Sequence, residues 1–183
     1  MADSTATDIA PITTATDAEI AAFKLDPHLI NLMWDEPFFS NILRSITKIK
    51  TDQIPNAAVI CQDNDFKLWW NPKFVAALVS MQIKGLLKHE AYHLIFEHTT
   101  TRRRDPHTTW NYCTDWAINS LIEKRELPEC GLYPGDAFPA PTDEQREKMG
   151  PATVERHERM SAFQASLPMG RPAEQSCGLV ADE

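Results

Sequence analysis

The chain has 183 residues, of which 26 are acidic and 18 are basic, so its formal net charge is −8. That length suffices for one hydrophobic core that closes without disulfide or metal crosslinks. The acidic balance argues against a nucleic-acid-binding module, because phosphate contacts need a basic surface. No apolar run approaches the roughly 20 residues that span a bilayer, and the N-terminus lacks a signal-peptide pattern. We therefore expect a cytoplasmic protein with no membrane or nucleic-acid partner.

Composition divides the chain into three parts. Residues 1–16 are mostly Ala, Thr, Ser and Asp and predict a flexible N-terminal arm. Residues 17–134 carry the large apolar side chains and predict one domain. Residues 135–183 are rich in proline and predict a weakly structured tail, in which only residues 154–167 favour a helix and which is a candidate surface for a protein partner. Because the cysteines are scattered without a C-x-x-C pair, they are expected to be free thiols.

The domain shows the patterns of a mainly helical α+β fold. Residues 17–46 carry apolar side chains at three- and four-residue spacing, interrupted by prolines, and predict two or three short helices. Residues 57–61 and 66–70 are β-rich and flank a four-residue turn, which predicts a small β-hairpin or sheet. Two longer helices are then expected, over residues 81–98 and 108–123, on either side of an arginine-rich loop.

The first longer helix carries the motif H-E-x-x-H at His89, Glu90 and His93. At about 100° per residue the two histidines project about 40° apart, one turn from each other, and can ligate one Zn²⁺. The carboxylate of Glu90 can then act as general base and acid. The alternative interpretation is two ordinary helix histidines beside an exposed glutamate. A di-iron site is disfavoured, because it needs a second E-x-x-H motif that the sequence lacks.

His98 is an unfavourable third ligand. On a regular helix it lies about 180° round the axis from His89, and no glycine between His93 and His98 allows the chain to turn back. This spacing departs from the metzincin pattern. We expect His98 to cap the helix C-terminus or to pack against the following loop.

Asp115 is the better third ligand. Its helix is apolar on most sides, so the carboxylate is expected to be drawn inward, where it needs a partner. If the two longer helices form an antiparallel hairpin, Asp115 also lies at about the same level along the helix axes as His93. Asn111 and Asn119 lie one turn on either side of Asp115 and could orient a ligand through hydrogen bonds. A salt bridge from Asp115 to the arginines at 102–104, or a buried hydrogen bond, is the alternative.

Three segments together resemble a known family, the one named Putative metallopeptidase domain, which occurs in bacteria and phages and often precedes a von Willebrand factor A-like domain. The segments are N-P-K-F-V, L-L-K-H-E-A-Y-H-L-I-F-E-H and W-N-Y-C-T-D-W-A-I-N, at residues 71–75, 86–98 and 110–119. The resemblance implies a zincin-like fold in which the H-E-x-x-H helix packs on a second helix that supplies an aspartate ligand. It thereby implies Zn²⁺ as cofactor, held by His89, His93 and Asp115, with Glu90 as the catalytic residue. If a phage encodes the chain, the host cytoplasm or the virion is the expected location.

The predicted function is therefore a zinc metalloendopeptidase that hydrolyses peptide bonds of a peptide or protein substrate with a zinc-activated water. The alternatives are a catalytically inactive zincin-like module that binds a partner, for example within a phage particle, and a structural zinc site. Residues 66–70 are a candidate strand for substrate pairing, although their two tryptophans could equally fill the core. Tyr92, His107 and Tyr112 are candidates for stabilising the oxyanion.

Overall fold

The structure is a computed structural model that describes residues 15–105, 107–129, 131–136 and 143–181. The predicted N-terminal arm lies almost wholly outside these residues. The described part is an α+β fold with one three-stranded sheet. In chain order its elements are α1 (Asp17–Ala22), α2 (Asp26–Asp35), α3 (Pro37–Arg44), β1 (Thr47–Lys50), β2 (Ala57–Gln62), β3 (Asp65–Trp70), α4 (Pro72–Ala76), α5 (Ser80–Ile95), α6 (His107–Asn119), a short 3-10 helix (Lys124–Glu126), α7 (Asp143–Lys148), α8 (Pro151–Ser166) and α9 (Ala173–Ala181).

The N-terminal helices form where the apolar spacing predicts them. Proline occupies the first turn of α2 and of α3, where its missing N–H is no loss and its fixed φ favours a helix start. The short helix α4 begins in the same way, since Asn71 accepts a hydrogen bond from the backbone N–H of Lys73 at 2.9 Å and Pro72 follows it. Local chain signals therefore determine these three starts.

The predicted hairpin is present, and a third strand joins it. Strands β2 and β3 pair antiparallel, and their turn residues Asp63 and Asn64 both have positive φ, as a tight hairpin turn requires. Strand β1, which the sequence analysis missed, pairs parallel with β3 and gives the order β1-β3-β2. Because β3 is central, the prediction that residues 66–70 form a substrate-binding edge is wrong; Leu68 and Trp70 are buried in the core instead. The edge strand beside α5 is β2.

Helix α5 lies at the centre of the fold and contacts β2, α3, α6 and the 3-10 helix. Its buried side chains Ile83 and Leu87 join the main hydrophobic core with Leu32 and Leu43 from the N-terminal helices and Leu68 from the sheet. The helix ends at Ile95, three residues before the predicted end. The motif H-E-x-x-H is therefore carried by a helix that the core holds on several sides.

One side of α5 carries a buried ionic cluster, here called the lysine cluster: Lys84, Lys88, Glu36 and Glu126. The Nζ atom of Lys88 lies 2.8 Å from carboxylate oxygens of both Glu36 and Glu126, and Lys84 lies 3.1 Å from Glu126. Gly85 allows this contact, because a Cβ at that position would lie 2.0 Å from the carbonyl oxygen of Glu126. The 3-10 helix can therefore reach α5 only where the chain has a glycine.

The C-terminal part of the chain is more structured than the proline content predicts. Pro151 occupies the first turn of α8, and Pro172 directly precedes α9, so these prolines start helices rather than prevent them. Leu167 and Ala173 are buried against Trp110 and Trp116 of α6. The prediction of a weakly structured tail is thus not supported over residues 143–181. The domain limits at 17 and 134 and a partner for the C-terminal residues stay predictions.

A disulfide bond joins α6 to α9. It links Cys113, which is fully buried, to Cys177, 64 residues further along the chain. The prediction of free thiols is therefore wrong for this pair, because spacing in sequence does not show which cysteines the tertiary fold brings together. Cys61 is free and exposed, and Cys130 lies outside the described residues.

Within the described residues, we find no helix of sufficient length and apolar character to cross a bilayer. A cytoplasmic or virion location stays a prediction.

Candidate metal centre

The two motif histidines face each other across one turn of α5. The Nε2 atoms of His89 and His93 are 3.0 Å apart, and the side chains are mostly buried. Two unprotonated imidazole nitrogens at this distance would direct their lone pairs at each other. A proton or a metal cation between them removes that repulsion.

Asp115 of α6 completes the group. Its Oδ1 atom lies 3.5 Å from Nε2 of His89 and 3.3 Å from Nε2 of His93. The structure thus brings together the three side chains that the sequence analysis selected, and they form a candidate cluster for holding a metal ion. We call His89, His93 and Asp115 the histidine cluster.

The spacing of these three atoms fits a zinc ion. Zinc binds nitrogen and oxygen ligands at about 2.0–2.1 Å in a tetrahedron, which places neighbouring ligand atoms about 3.3 Å apart. The three separations in the histidine cluster are 3.0, 3.3 and 3.5 Å. Two imidazole nitrogens and one carboxylate oxygen are also a donor set that zinc accepts in catalytic sites. The residues present therefore fit this metal.

Electrostatics favours a positive charge in the cluster. Burial alone would lower the pKa of His89, but the Asp115 carboxylate, helped by Glu90 and Asn119, outweighs it and raises the pKa to about 9. Burial would raise the pKa of Asp115, but hydrogen bonds and charge from the two histidines hold it well below its usual range. In the protein without metal a proton therefore occupies the place of the cation, and metal binding must displace it.

The alternative partner for Asp115, an arginine of the 102–104 loop, is not observed. Arg102 pairs with Glu174 of α9, and Arg104 lies over the ring of Trp110 at 5.3 Å. Within the described part of the chain, no lysine or arginine forms a salt bridge with Asp115. The carboxylate is directed at the histidines instead.

The two asparagines flanking Asp115 differ in what they contact. Asn119 is buried, its Oδ1 lies 2.7 Å from Nδ1 of His89, and its Nδ2 donates to the carbonyl of Leu132 at 2.6 Å. This contact restricts the orientation of the His89 ring. Asn111 lines the same cavity, but no hydrogen bond within the described residues joins its side chain to Asp115 or to a histidine.

Glu90 lies beside the cluster and is held by the edge of the sheet. Its side chain is 4% exposed, and Oε2 accepts a hydrogen bond from the backbone N–H of Val59 in β2 at 2.8 Å. It lines the same cavity as His89, His93 and Asp115. A carboxylate fixed through one oxygen keeps the other for a ligand in that cavity.

His98 lies much closer to the cluster than the sequence predicts. Helix α5 ends in a Schellman motif, in which the N–H of His98 donates to the carbonyl of His93 at 3.0 Å and the N–H of Glu97 donates to that of Leu94 at 3.1 Å. Glu97 takes the left-handed conformation, with φ of 57°, that the sequence analysis reserved for glycine. The chain therefore turns back, and Nδ1 of His98 lies 3.3 Å from Nδ1 of His93.

This contact differs from ligation. The Nε2 atom of His93 faces the cluster, whereas His98 approaches the opposite nitrogen of the ring. His98 is buried, which is the main reason that its pKa falls to about 4, and its ring packs at right angles on that of Trp110. It is therefore a neutral neighbour of His93 at pH 7.

The cluster opens into a cavity of about 440 Å³. Its lining includes Asn56 to Cys61, from β2 and the residue before it, and also His98, Arg103, His107 and Asn111. Of the three residues considered for oxyanion stabilisation, His107 lines this cavity. The other two pack elsewhere, Tyr92 between aromatic rings of the core and Tyr112 on the ring of Trp116.

Comparison with known proteins agrees with this site. The chain matches, over residues 22–147, the profile of the family described as "Putative metallopeptidase domain". This match covers more than half of the sequence, and the chain belongs to that family. No curated protein and no solved structure matches it. The matched region includes α5 and α6 and thus all members of the histidine cluster.

Proposed function

We propose that the protein is a zinc-dependent metallopeptidase with a zincin-like fold. The observation that carries this proposal is the spacing of the histidine cluster, three ligand atoms at tetrahedral distances beside a buried glutamate in one cavity. Membership of the metallopeptidase family supports it. We propose cleavage within peptide chains, since strand β2 lines the cavity over several consecutive residues, 57–61.

Each residue of the cavity has a role in this proposal. His89, His93 and Asp115 hold the zinc ion, and Asn119 orients His89. A bound zinc ion lowers the pKa of water and polarises a peptide carbonyl. Glu90 takes a proton from the attacking water and passes it to the leaving amine, work that commonly contributes about 10²–10⁴-fold to a rate.

The edge strand β2 offers a place for the substrate backbone. Val59 directs its N–H at Glu90, so this residue faces away from β3, and by alternation Ala57 and Cys61 direct their backbone groups the same way. These groups lie along the wall of the cavity. An extended peptide can therefore pair with β2 while its backbone passes the histidine cluster.

A Glu90→Gln variant tests the proposal, because the amide keeps the shape of the side chain but cannot take a proton. We expect this variant to bind one equivalent of zinc and to lose cleavage of a peptide library by about 10²-fold or more. Glu123→Gln is the matched control at an exposed glutamate, and it should cleave as the wild type does.

The other outcomes separate the alternatives. Stoichiometric zinc without cleavage by the wild type would favour an inactive binding module. Loss of the fold on removal of zinc would favour a structural site. A wild type that binds no zinc at micromolar concentration would contradict every metal-based function.

A further inference from the structure

We propose that His98 is a positioning residue for the metal ligand His93, holding its imidazole ring through the nitrogen that faces away from the metal. The inference rests on the proposed metal site and adds a residue that neither the H-E-x-x-H motif nor the family match designates. It concerns metal affinity, and it can be tested without an assay of catalysis.

The geometry of His93 leads to this assignment. Its Nε2 lies 3.0 Å from Nε2 of His89 and 3.3 Å from Oδ1 of Asp115, so this nitrogen faces the metal position. A metal-bound neutral imidazole carries its proton on the other nitrogen and usually donates it to a partner. For His93 that nitrogen is Nδ1, and Nδ1 of His98 lies 3.3 Å from it.

The other histidine ligand shows the same arrangement with a different partner. Nδ1 of His89 lies 2.7 Å from Oδ1 of Asn119, which is an acceptor. Each ring therefore has Nε2 toward the cluster and Nδ1 toward one side chain from outside it. Asn119 comes from α6, whereas His98 comes from the end of the same helix as the ligand that it contacts.

Burial makes His98 the acceptor on which His93 depends. His98 is 5% exposed, so bulk water has little access to the Nδ1···Nδ1 contact. A donor left without a partner in such a place is unfavourable, because it loses its hydrogen bond to water and gains none in return. The neutral form of His98 that fits the contact has its proton on Nε2 and an unprotonated Nδ1.

The helix end fixes His98 in this position. In a Schellman motif the second residue beyond the cap packs over the third residue before it, and here these residues are His98 and His93. Rings of Phe96 and Trp110 contact His98, at centroid distances of 5.6 and 5.7 Å. The backbone and the packing both restrict the ring, as a positioning role requires.

Zinc affinity of substituted variants tests the inference, with Zn²⁺ itself as the probe in competition with a chelator. In asparagine Oδ1 is bonded to Cγ, as Nδ1 is in histidine, so His98→Asn keeps an acceptor close to the original position. His98→Leu fills the space without one. We expect the leucine variant to bind zinc about 10–100-fold more weakly than wild type, and the asparagine variant to recover most of this loss.

The tautomers give a second readout that needs no variant. In the zinc-bound wild type, nitrogen NMR of the imidazole rings should show a protonated Nδ1 on His93 and an unprotonated Nδ1 on His98. A protonated Nδ1 on His98 would overturn the inference, and so would a leucine variant with wild-type zinc affinity or an asparagine variant as weak as leucine. If the wild type itself binds no zinc, the proposed function fails; if it binds zinc and only these results fail, the positioning role alone is wrong.

Discussion

Helix α5 carries two partly buried charged clusters, and they differ in whether each charged group has a partner of opposite charge within the protein. In the lysine cluster, two lysines meet two glutamates, and the exposed Asp35 lies 3.9 Å from Lys84, so each lysine has carboxylate partners. In the histidine cluster, one carboxylate meets two imidazoles that need a proton or a metal ion between them. Lys88 and His89 are consecutive residues, about 100° apart round the helix. One side of α5 thus carries lysines paired with carboxylates, and the neighbouring side carries the candidate metal ligands.

The largest expected effect is a loss of stability on removing a charge from the lysine cluster. Lys88→Met leaves Glu36 without its lysine partner and Glu126 with Lys84 alone, and we expect the free energy of unfolding to fall by about 3 kcal/mol. Urea unfolding measures this change. Lys67→Met, which removes a pair with the exposed Asp63 and an exposed hydrogen bond to Gln62, should change it by less than about 1 kcal/mol. A Lys88→Met variant of normal stability but lost zinc affinity would contradict the division between the clusters.

A smaller loss of stability is expected when a new Cβ atom forces α5 and Glu126 of the lysine cluster apart. In Gly85→Ala the new Cβ must displace the carbonyl of Glu126 or the helix itself, and overpacking of this kind reduces stability by about 1–3 kcal/mol. Thermal unfolding of the metal-free protein is the measurement. Gly150→Ala is the control, because a Cβ there meets nothing within 4 Å. Equal stability of the two variants would show that the close approach at Gly85 is not required.

The smallest expected effect is on the zinc affinity of the histidine cluster. Asn119→Ala removes the acceptor for Nδ1 of His89, and we expect the Kd for zinc to rise about tenfold, or about 1.4 kcal/mol. Asn111→Ala, on the same helix but without that contact, should bind zinc as the wild type does. Chelator competition measures both. If the two variants weaken binding equally, the orienting role does not belong to Asn119 in particular.

Sequence reasoning predicts which three side chains come together, because that prediction depends on local periodicity. His89 and His93 are one turn apart on any regular helix, and Asp115 lies on a helix whose apolar sides leave a carboxylate little solvent. The same periodicity fails for His98, since it assumes that the helix continues. A non-glycine residue in the left-handed conformation, here Glu97, has no reliable signal in one sequence.

Among the C-terminal helices, α8 covers the residues for which a helix was predicted, whereas α7 and α9 were missed for a different reason. Their prolines indicate turns when they are considered alone, although proline is also common in the first turn of a helix. The apolar character of α6 on several sides was an available signal, because such a helix needs cover on more than one side. The structure supplies that cover through α8 and α9, including the Cys113–Cys177 disulfide. Strand β1 had no comparable signal, since its pairing with β3 is purely tertiary.

The central claim is that the histidine cluster holds one zinc ion. X-ray absorption on the zinc-loaded protein tests it most directly, together with the zinc content of wild type and His93→Ala. We predict one zinc per chain in the wild type, bound by two imidazole nitrogens and oxygen, and affinity reduced roughly a thousandfold in His93→Ala. Sulfur ligands, or equal zinc content and affinity in the two proteins, would contradict the account.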